Sequence, residues 1–525
     1  STYNTITSIA ESPVNENILY TGTDDGYIQR TKDGGKTWNK TDVKSFPGVP
    51  ERAYINDIKA DLFDENTVYV ALDAHKQGDY TPYLFISKNG GKTWKSITNG
   101  IAEKNYVWRI VQDHVNPSLL FIGTEFGIYF TVNGGDNWKQ LKGGLPTISF
   151  RDLAIQREHN DLVAASFGRS FYILDNYTFL RNLDAAVLEQ EVALFQPRET
   201  YLYRPQRDGR EKGGSQGGQH FYGANPTYGV LFDYYIKEKP KTASQIRKKE
   251  EKELNKKEKD VDFPGWGVLA AEKNETSPHY WLQISDSKGN VIRKIKLANS
   301  KGVHRTAWNM KASSEWPIGS NSKADGDKDA GWYAAAGKYS ARVYQLFRGE
   351  AMPMGDAVEV VLKPLHKSTL PAKSQAEKDE FLSAYMAAQL QRRLLSRKFR
   401  NCKKETASLL VAAKRMNAPF SDALKQLVAI QNELSVLDTE WSGNSAKNAV
   451  GEKVSPTLND RLSAAGATLW GSNYGPTATA KDGLAIATTL MEDYEQRIST
   501  VDATLATIYA ALRKAGSPII LEMED

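Results

Sequence analysis

The chain has 525 residues, 40% of them apolar and 25% charged, with a net charge of +5. That length asks for three or four domains with several cores, and the composition is that of ordinary globular chains. Acidic and basic residues are mixed along the chain, so charge gives no ground for a nucleic-acid partner, and no run of about 18 apolar residues is present to span a bilayer.

The chain opens on "STYNTITSIAES", which reads as a strand and not as a leader. The expectation is a chain cleaved from, or part of, a longer one. Three similar stretches follow: "RTKDGGKTW", "SKNGGKTW" and "TVNGGDNW". They share the pattern Ser/Thr-x-Asp/Asn-x-Gly-x-x-Trp, at a spacing of about 45 to 55 residues, the length of one four-stranded propeller blade. Asp33, Asn89 and Asn133 can each accept a backbone N–H two residues on and close a turn. Gly35, Gly91 and Gly135 supply positive φ. Trp38, Trp94 and Trp138 start the next strand and can cover the hairpin end. Ahead of each turn lie strand patterns such as "ILYTGTDDGYIQRT" and "LLFIGTEFGIYFTV". A fourth unit, residues 150–176, has inner strands but no such turn. Residues 1–180 therefore read as about four propeller blades.

These three turns resemble Asp-boxes, the bacterial neuraminidase repeats. "ASFGRSFYILDN" is similar to a Thr-His-Gly-Arg-Gly-x-x-x-Leu-Asp closing strand found in sortilin-like Asp-box proteins of bacterial envelopes, often labelled glycosyl hydrolases. Gly168, Arg169 and Asp175 match it, and Phe167 stands where His is usual. The resemblance implies a propeller of more blades than four, with this chain as its C-terminal portion.

A Gly-rich connector is expected over 181–227. Strand patterns over 228–366 read as an immunoglobulin-like β-sandwich, with a Lys-rich, solvated and helical insertion at 237–262. "GVHRTAWNMK" and "AAGKYSARVY" resemble a further motif pair of the same family. From about Ser374 the period turns helical. Residues 370–518 read as a helical bundle, with two helices before residue 416, a helix N-capped by Ser421, and a last helix with its seam on Ile486, Leu490, Tyr494, Ile498, Val501, Leu505, Ile508 and Leu512. Residues 519–525 form a tail. The fold class is multidomain, β first and α last.

Candidate chemistry is sparse. The single cysteine, Cys402, excludes an internal disulfide and a cysteine-based metal site. No two of the seven histidines are four residues apart, so a helical zinc motif is absent. Asp24 and Asp25 are adjacent acids, but they sit in an Asp-Gly turn. Arg109 and Glu125 lie near blade turns, with nothing to single them out. No catalytic residue, metal site or cofactor is assigned. The expected function is a non-catalytic, extracytoplasmic scaffold binding proteins or peptides, a subunit or accessory of a bacterial outer-membrane or cell-surface complex, with an N-terminal propeller fragment of the same precursor among its partners. The alternative is a secreted glycoside hydrolase or glycan-binding protein whose active site lies in blades outside this chain.

Overall fold

The first strands of four successive sheets lie side by side, and this arrangement makes the N-terminal region a propeller arc. The computed structural model describes residues 4–203, 226–313, 331–366, 371–416, 421–471 and 474–520. Blade 1 comprises β1 (Ile6–Glu11), β2 (Leu19–Thr23), β3 (Tyr27–Thr31) and β4 (Asn39–Asp42). Blade 2 comprises β5 (Tyr54–Ala60), β6 (Val68–Ala74), β7 (Asp79–Ser87) and β8 (Lys95–Ser96). Blade 3 comprises β9 (Val107–Gln112), β10 (Leu120–Thr124), β11 (Gly127–Thr131) and β12 (Lys139–Gln140). Blade 4 has only β13 (Phe150–Gln156), β14 (Asp161–Ser166) and β15 (Phe171–Leu174). Within each blade the strands are antiparallel and follow chain order.

The central strands are covered on both faces: in "LFIGT" of β10 and "GIYFT" of β11 every residue is buried. Three cores fill the spaces between neighbours. Tyr20 and Ile28 meet Ile55 and Ile58 between blades 1 and 2. Leu84 and Ile86 meet Val107 and Ile110 between blades 2 and 3. Phe121 and Ile128 meet Phe150 and Leu153 between blades 3 and 4. The approach is close enough to need glycine: a Cβ on Gly22 would stand 2.4 Å from Ile55, and one on Gly123 2.4 Å from the Phe150 carbonyl oxygen.

The Gly–Trp turns close by a longer reach than expected. The Asp33, Asn89 and Asn133 side chains accept N–H groups four residues on, from Thr37, Thr93 and Asn137, at 2.9, 2.9 and 3.1 Å. The hydroxyls of Thr31, Ser87 and Thr131 accept the N–H of Gly35, Gly91 and Gly135. Both glycines of each pair have positive φ, which answers why two are present. The Thr37 hydroxyl and N–H, with Thr31, hold the Asp33 carboxyl at about 2.

Past blade 4 come α1 (Ala185–Glu189), β16 (Val192–Leu194) and β17 (Thr200–Leu202). Residues 181–227 are thus not only a connector: each short strand joins a sheet. Its Gly-rich part, 204–225, lies outside the described residues. β18 (Val230–Ile236) precedes α2 (Ala243–Lys256) and α3 (Trp266–Asn274). The Lys-rich run carries α2, which has a Thr242–Gln245 capping box and no buried residue. Then follow β19 (His279–Asp286), β20 (Val291–Lys296), β21 (Gly302–Trp308), β22 (Gly337–Phe347) and β23 (Glu350–Pro364). They form two sheets, β16-β18-β21 and β17-β23-β22-β19-β20.

The chain divides into two compact units, Ser1–Met310 with Ala336–Lys363, and Lys311–Ala335 with Pro364–Asp525. The described residues between β21 and β22, 311–313 and 331–335, therefore group with the helices. Trp332 explains this: its ring meets Tyr385 edge-on at 5.8 Å and its N–H faces the Met386 sulfur. The helical unit contains α4 (Gln375–Lys414), α5 (Ser421–Ser442), α6 (Ser445–Ala449), α7 (Leu458–Gly471) and α8 (Ala478–Lys514). Helix α4 is one helix of 40 residues and not the expected two; no proline or glycine interrupts it. Ser421 is the first residue of α5, and the capping position before it lies outside the described residues. On α8 the seam from Tyr494 onward is buried as expected, but Ile486 is exposed and Leu490 only half-buried. Leu484, Ala487 and Met491 take the seam instead. Cys402 is buried in this core, and burial pushes its thiol up to about 12. It is expected to resist thiol-disulfide reagents at neutral pH until the bundle unfolds, checked by following its labelling with and without denaturant.

Candidate functional site

One residue from each first strand meets its neighbours along the inside of the arc. These are Ser8, Asp57, Arg109 and Asp152, paired across to the small residues Gly22, Ala71, Gly123 and Ala165. Each follows a register shift at Thr7, Asn56, Trp108 or Arg151, where a bulge re-aims the strand. Ser8 Oγ lies 3.4 Å from Asp57 Oδ1 and accepts the Ile58 N–H at 2.9 Å. Arg109 Nη1 donates to Asp57 Oδ1 at 3.0 Å, and the Ile110 N–H to Asp57 Oδ2 at 3.0 Å. Arg109 Nε stands 3.0 Å from Asp152 Oδ1. A cleft of about 570 Å³ opens beside this chain of groups, walled by the four first strands.

Asp57 is buried and Asp152 exposed. Burial pushes the Asp57 carboxyl up, against the pull of Arg109 and the Ile110 N–H. Burial also opposes the charge on Arg109, but Asp57 and Asp152 outweigh it and raise the guanidinium. Of the three acids that line the cleft, Asp57 and Asp152 thus address Arg109, while Glu11 of β1 is exposed. Paired-carboxylate hydrolysis needs one acid free to donate a proton and a second free to attack or to activate water. Here the inner carboxylate is spent on joining blades 1, 2 and 3.

An aromatic group lies on the side where the first strands begin. Trp108 packs edge-on to Tyr106 at 5.1 Å and donates its N–H to Glu125 at 2.9 Å. His75 stacks on Tyr106 at 5.1 Å and holds the buried Asp73 through Nδ1. Arg151 lies over both Trp108, at 4.2 Å, and Phe167, at 4.3 Å. Tyr80, Phe126 and Phe167 are exposed around them. Burial and Glu125 raise the Tyr106 hydroxyl well above its ordinary range, so it stays a neutral donor.

The residues singled out in the sequence are elsewhere. The Gly–Trp turns sit at the opposite ends of the blades, away from this face. Asp24 accepts the N–H groups of Asn4 and Thr5, and Asp25 the Thr23 hydroxyl, so both are turn-formers. Gly168, with φ of +78°, and Arg169 form the exposed β14–β15 turn, while Asp175 follows the far end of β15. The structure does not bring them together. The Asp175 and Asn176 carbonyls instead accept from Arg305 of β21, which also pairs with Asp233 of β18 at 2.7 Å. Sequence reasoning passed over Arg109, Glu125 and Asp57. Aligning the first strands on Ile9, Ile58, Ile110 and Leu153 puts Ser8, Asp57, Arg109 and Asp152 in one column, a signal that was there to be read.

No family model matches the chain. No curated protein matches it either. Among solved structures, it is similar to a GH74 enzyme from Niastella koreensis, with 19% identity over 34% of this chain and 29% of that one and a TM-score of 0.28. It is also similar to YCF48 bound to D1 peptide, with 18% identity over 33% of this chain and 52% of that one and a TM-score of 0.26. A third is the extracellular domain of a putative hybrid two-component system from B. thetaiotaomicron, with 11% identity over 69% of this chain and 38% of that one and a TM-score of 0.27. The chain thus spans at most about half the length of these proteins. Among the described residues no helix is long and apolar enough to cross a membrane, and no group of three or more His, Cys, Asp or Glu could hold a metal ion.

Proposed function

We propose that the chain is a non-catalytic scaffold that binds proteins or peptides on the strand-start face of the propeller. The observation that carries this reading is the engagement of Asp57 and Asp152, the two carboxylates at the centre of the strand row, by Arg109, beside exposed aromatics grouped around Trp108. Exposed aromatics around an anchored tryptophan are the usual material of a binding hot spot. The Asp-box character of the turns, the sortilin-like closing strand, an immunoglobulin-type packing of the two later sheets and an extracytoplasmic location belong to the same proposal and rest on the sequence resemblance. The alternative is glycan recognition or cleavage, since a sugar ring would also stack on Trp108.

The test is selection of a displayed random-peptide library on the purified chain, with turnover assays on xyloglucan and sialyllactose alongside. Peptides should be captured, and Trp108→Ala should weaken them by roughly tenfold or more, the loss of one aromatic anchor. Neither glycan should be cleaved. Sugar release that disappears in Asp152→Asn would replace this reading with the hydrolase one.

A further inference from the structure

Blade 4 ends the arc with an unfinished edge and an uncovered face. Its sheet has three strands where the others have four, and β15 has no partner on its outer side among the described residues. Its forward face can be compared position by position with those of the earlier blades. Phe171, opposite Ala165, stands where Ile28, Leu84 and Ile128 stand opposite Gly22, Ala71 and Gly123. Those three are 2%, 0% and 2% exposed, each covered by the next blade; Phe171 is 69% exposed. Ile173, opposite Val163, is 59% exposed, whereas Ile86 and Phe130 at its position in blades 2 and 3 are 6% and 9%; blade 1 has Arg30 there. The Phe171 position is a covered apolar seat three times in this molecule and bare the fourth time, and the Ile173 position is one twice. Bare aromatic and aliphatic side chains beside an open strand edge are what folded chains cover.

We infer that the blade 4 face docks a further β-blade, from outside this chain, whose first strand lays an aliphatic pair spaced as Ile55 and Ile58 over Phe171 and Ile173. The polypeptide carrying that blade supplies the fourth strand beside β15. The inference is independent of the ligand face proposed above.

A second copy of this chain fits the seat less well. Its free flank is the back of blade 1, which carries the required spacing in the exposed Ile6 and Ile9 but not the apolar surface behind it. Behind them Thr21 and Gln29 stand where blades 2 and 3 have Val70 and Ile122, Phe85 and Tyr129. Each back face that seats on a neighbour within this chain is apolar at those positions; this one is not.

The experiment places a photo-crosslinking phenylalanine analogue at position 171 of the protein made in its native host, with the exposed position 63, between β5 and β6 and away from the strand-start face, as a control. Crosslinked peptides are identified by mass spectrometry. The expected result is capture at 171, and not at 63, of a peptide outside residues 1–525 from a blade bearing the Ser/Thr-x-Asp/Asn-x-Gly-x-x-Trp turn. Ile173→Asp should reduce that yield by roughly tenfold, with circular dichroism and thermal unfolding of the variant unchanged because the side chain is exposed. Crosslinks to the Ile6–Glu11 strand would overturn the inference in favour of a second copy. Capture of a peptide from no such blade, or no yield above the control, would overturn it outright.

Discussion

Replacing Asp113 by Asn is expected to destabilise the propeller unit by about 3–5 kcal/mol, the scale for breaking a buried ion pair from one side. Asp113 is fully buried at the end of β9. Its Oδ1 accepts from Arg181 Nη2 at 2.7 Å and the Tyr177 hydroxyl at 2.6 Å. Its Oδ2 accepts from Arg181 Nε at 2.8 Å and the N–H groups of Asn116 and Val115 at 2.7 and 3.1 Å. Asn keeps the shape but turns one of these acceptors into a donor facing Arg181, and leaves the guanidinium unpaired. The measurement is the urea midpoint of the propeller transition at constant slope. An Arg181→Met partner variant and the double variant complete the cycle, and the double should recover part of the loss. The pH dependence has a definite sign. Burial opposes the charge of Asp113, but Arg181, Tyr177 and the Asn116 N–H outweigh it and hold the carboxyl below its ordinary range. Its stabilisation is therefore present above the ordinary carboxylate range and is lost as pH falls through the lowered value. The acid-induced loss of stability should be shallower in Asp113→Asn than in the parent chain.

The three tryptophans of one sequence motif are expected to differ sharply on truncation. Trp138 is 2% exposed, donates to the Ile97 carbonyl at 2.6 Å and fills the space between blades 2 and 3. Trp138→Ala should cost about 3–5 kcal/mol, as for other buried aromatics. Trp94 lies half-buried against Phe46 of blade 1, ring centroids 4.9 Å apart, and should cost an intermediate amount. Trp38 is 41% exposed, and its ring N–H donates within its own turn, to the Gly35 carbonyl. Trp38→Ala should stay within about 0.5 kcal/mol, the range of surface substitutions. Urea midpoints of the three variants check the order; equal losses would mean that the turn alone, and not the neighbouring blade, is what each ring stabilises.

The sequence by itself determined the repeat, the turns and the change from β to α. Those features are local: a hydroxyl, an amide or carboxylate acceptor and two positive-φ glycines form the same turn wherever they occur, and the apolar period reports a helix or strand without its neighbours. Tertiary structure decided the rest. The bulge before Ser8, Asp57, Arg109 and Asp152 adds one unpaired residue to each first strand, so strict alternation assigns the wrong face to what precedes it, and the cleft residues look unremarkable until four strands stand side by side. The start of the α8 seam moved from Ile486 and Leu490 to Leu484, Ala487 and Met491 because the packing neighbours, not the heptad spacing, chose the face. Residues 311–313 and 331–335 lie in sequence between two sheet strands, yet group with the helices, where Trp332 finds its apolar partners. Which of three identical tryptophans carries stability depends on whether a preceding blade covers it, and only the assembled arc contains that information.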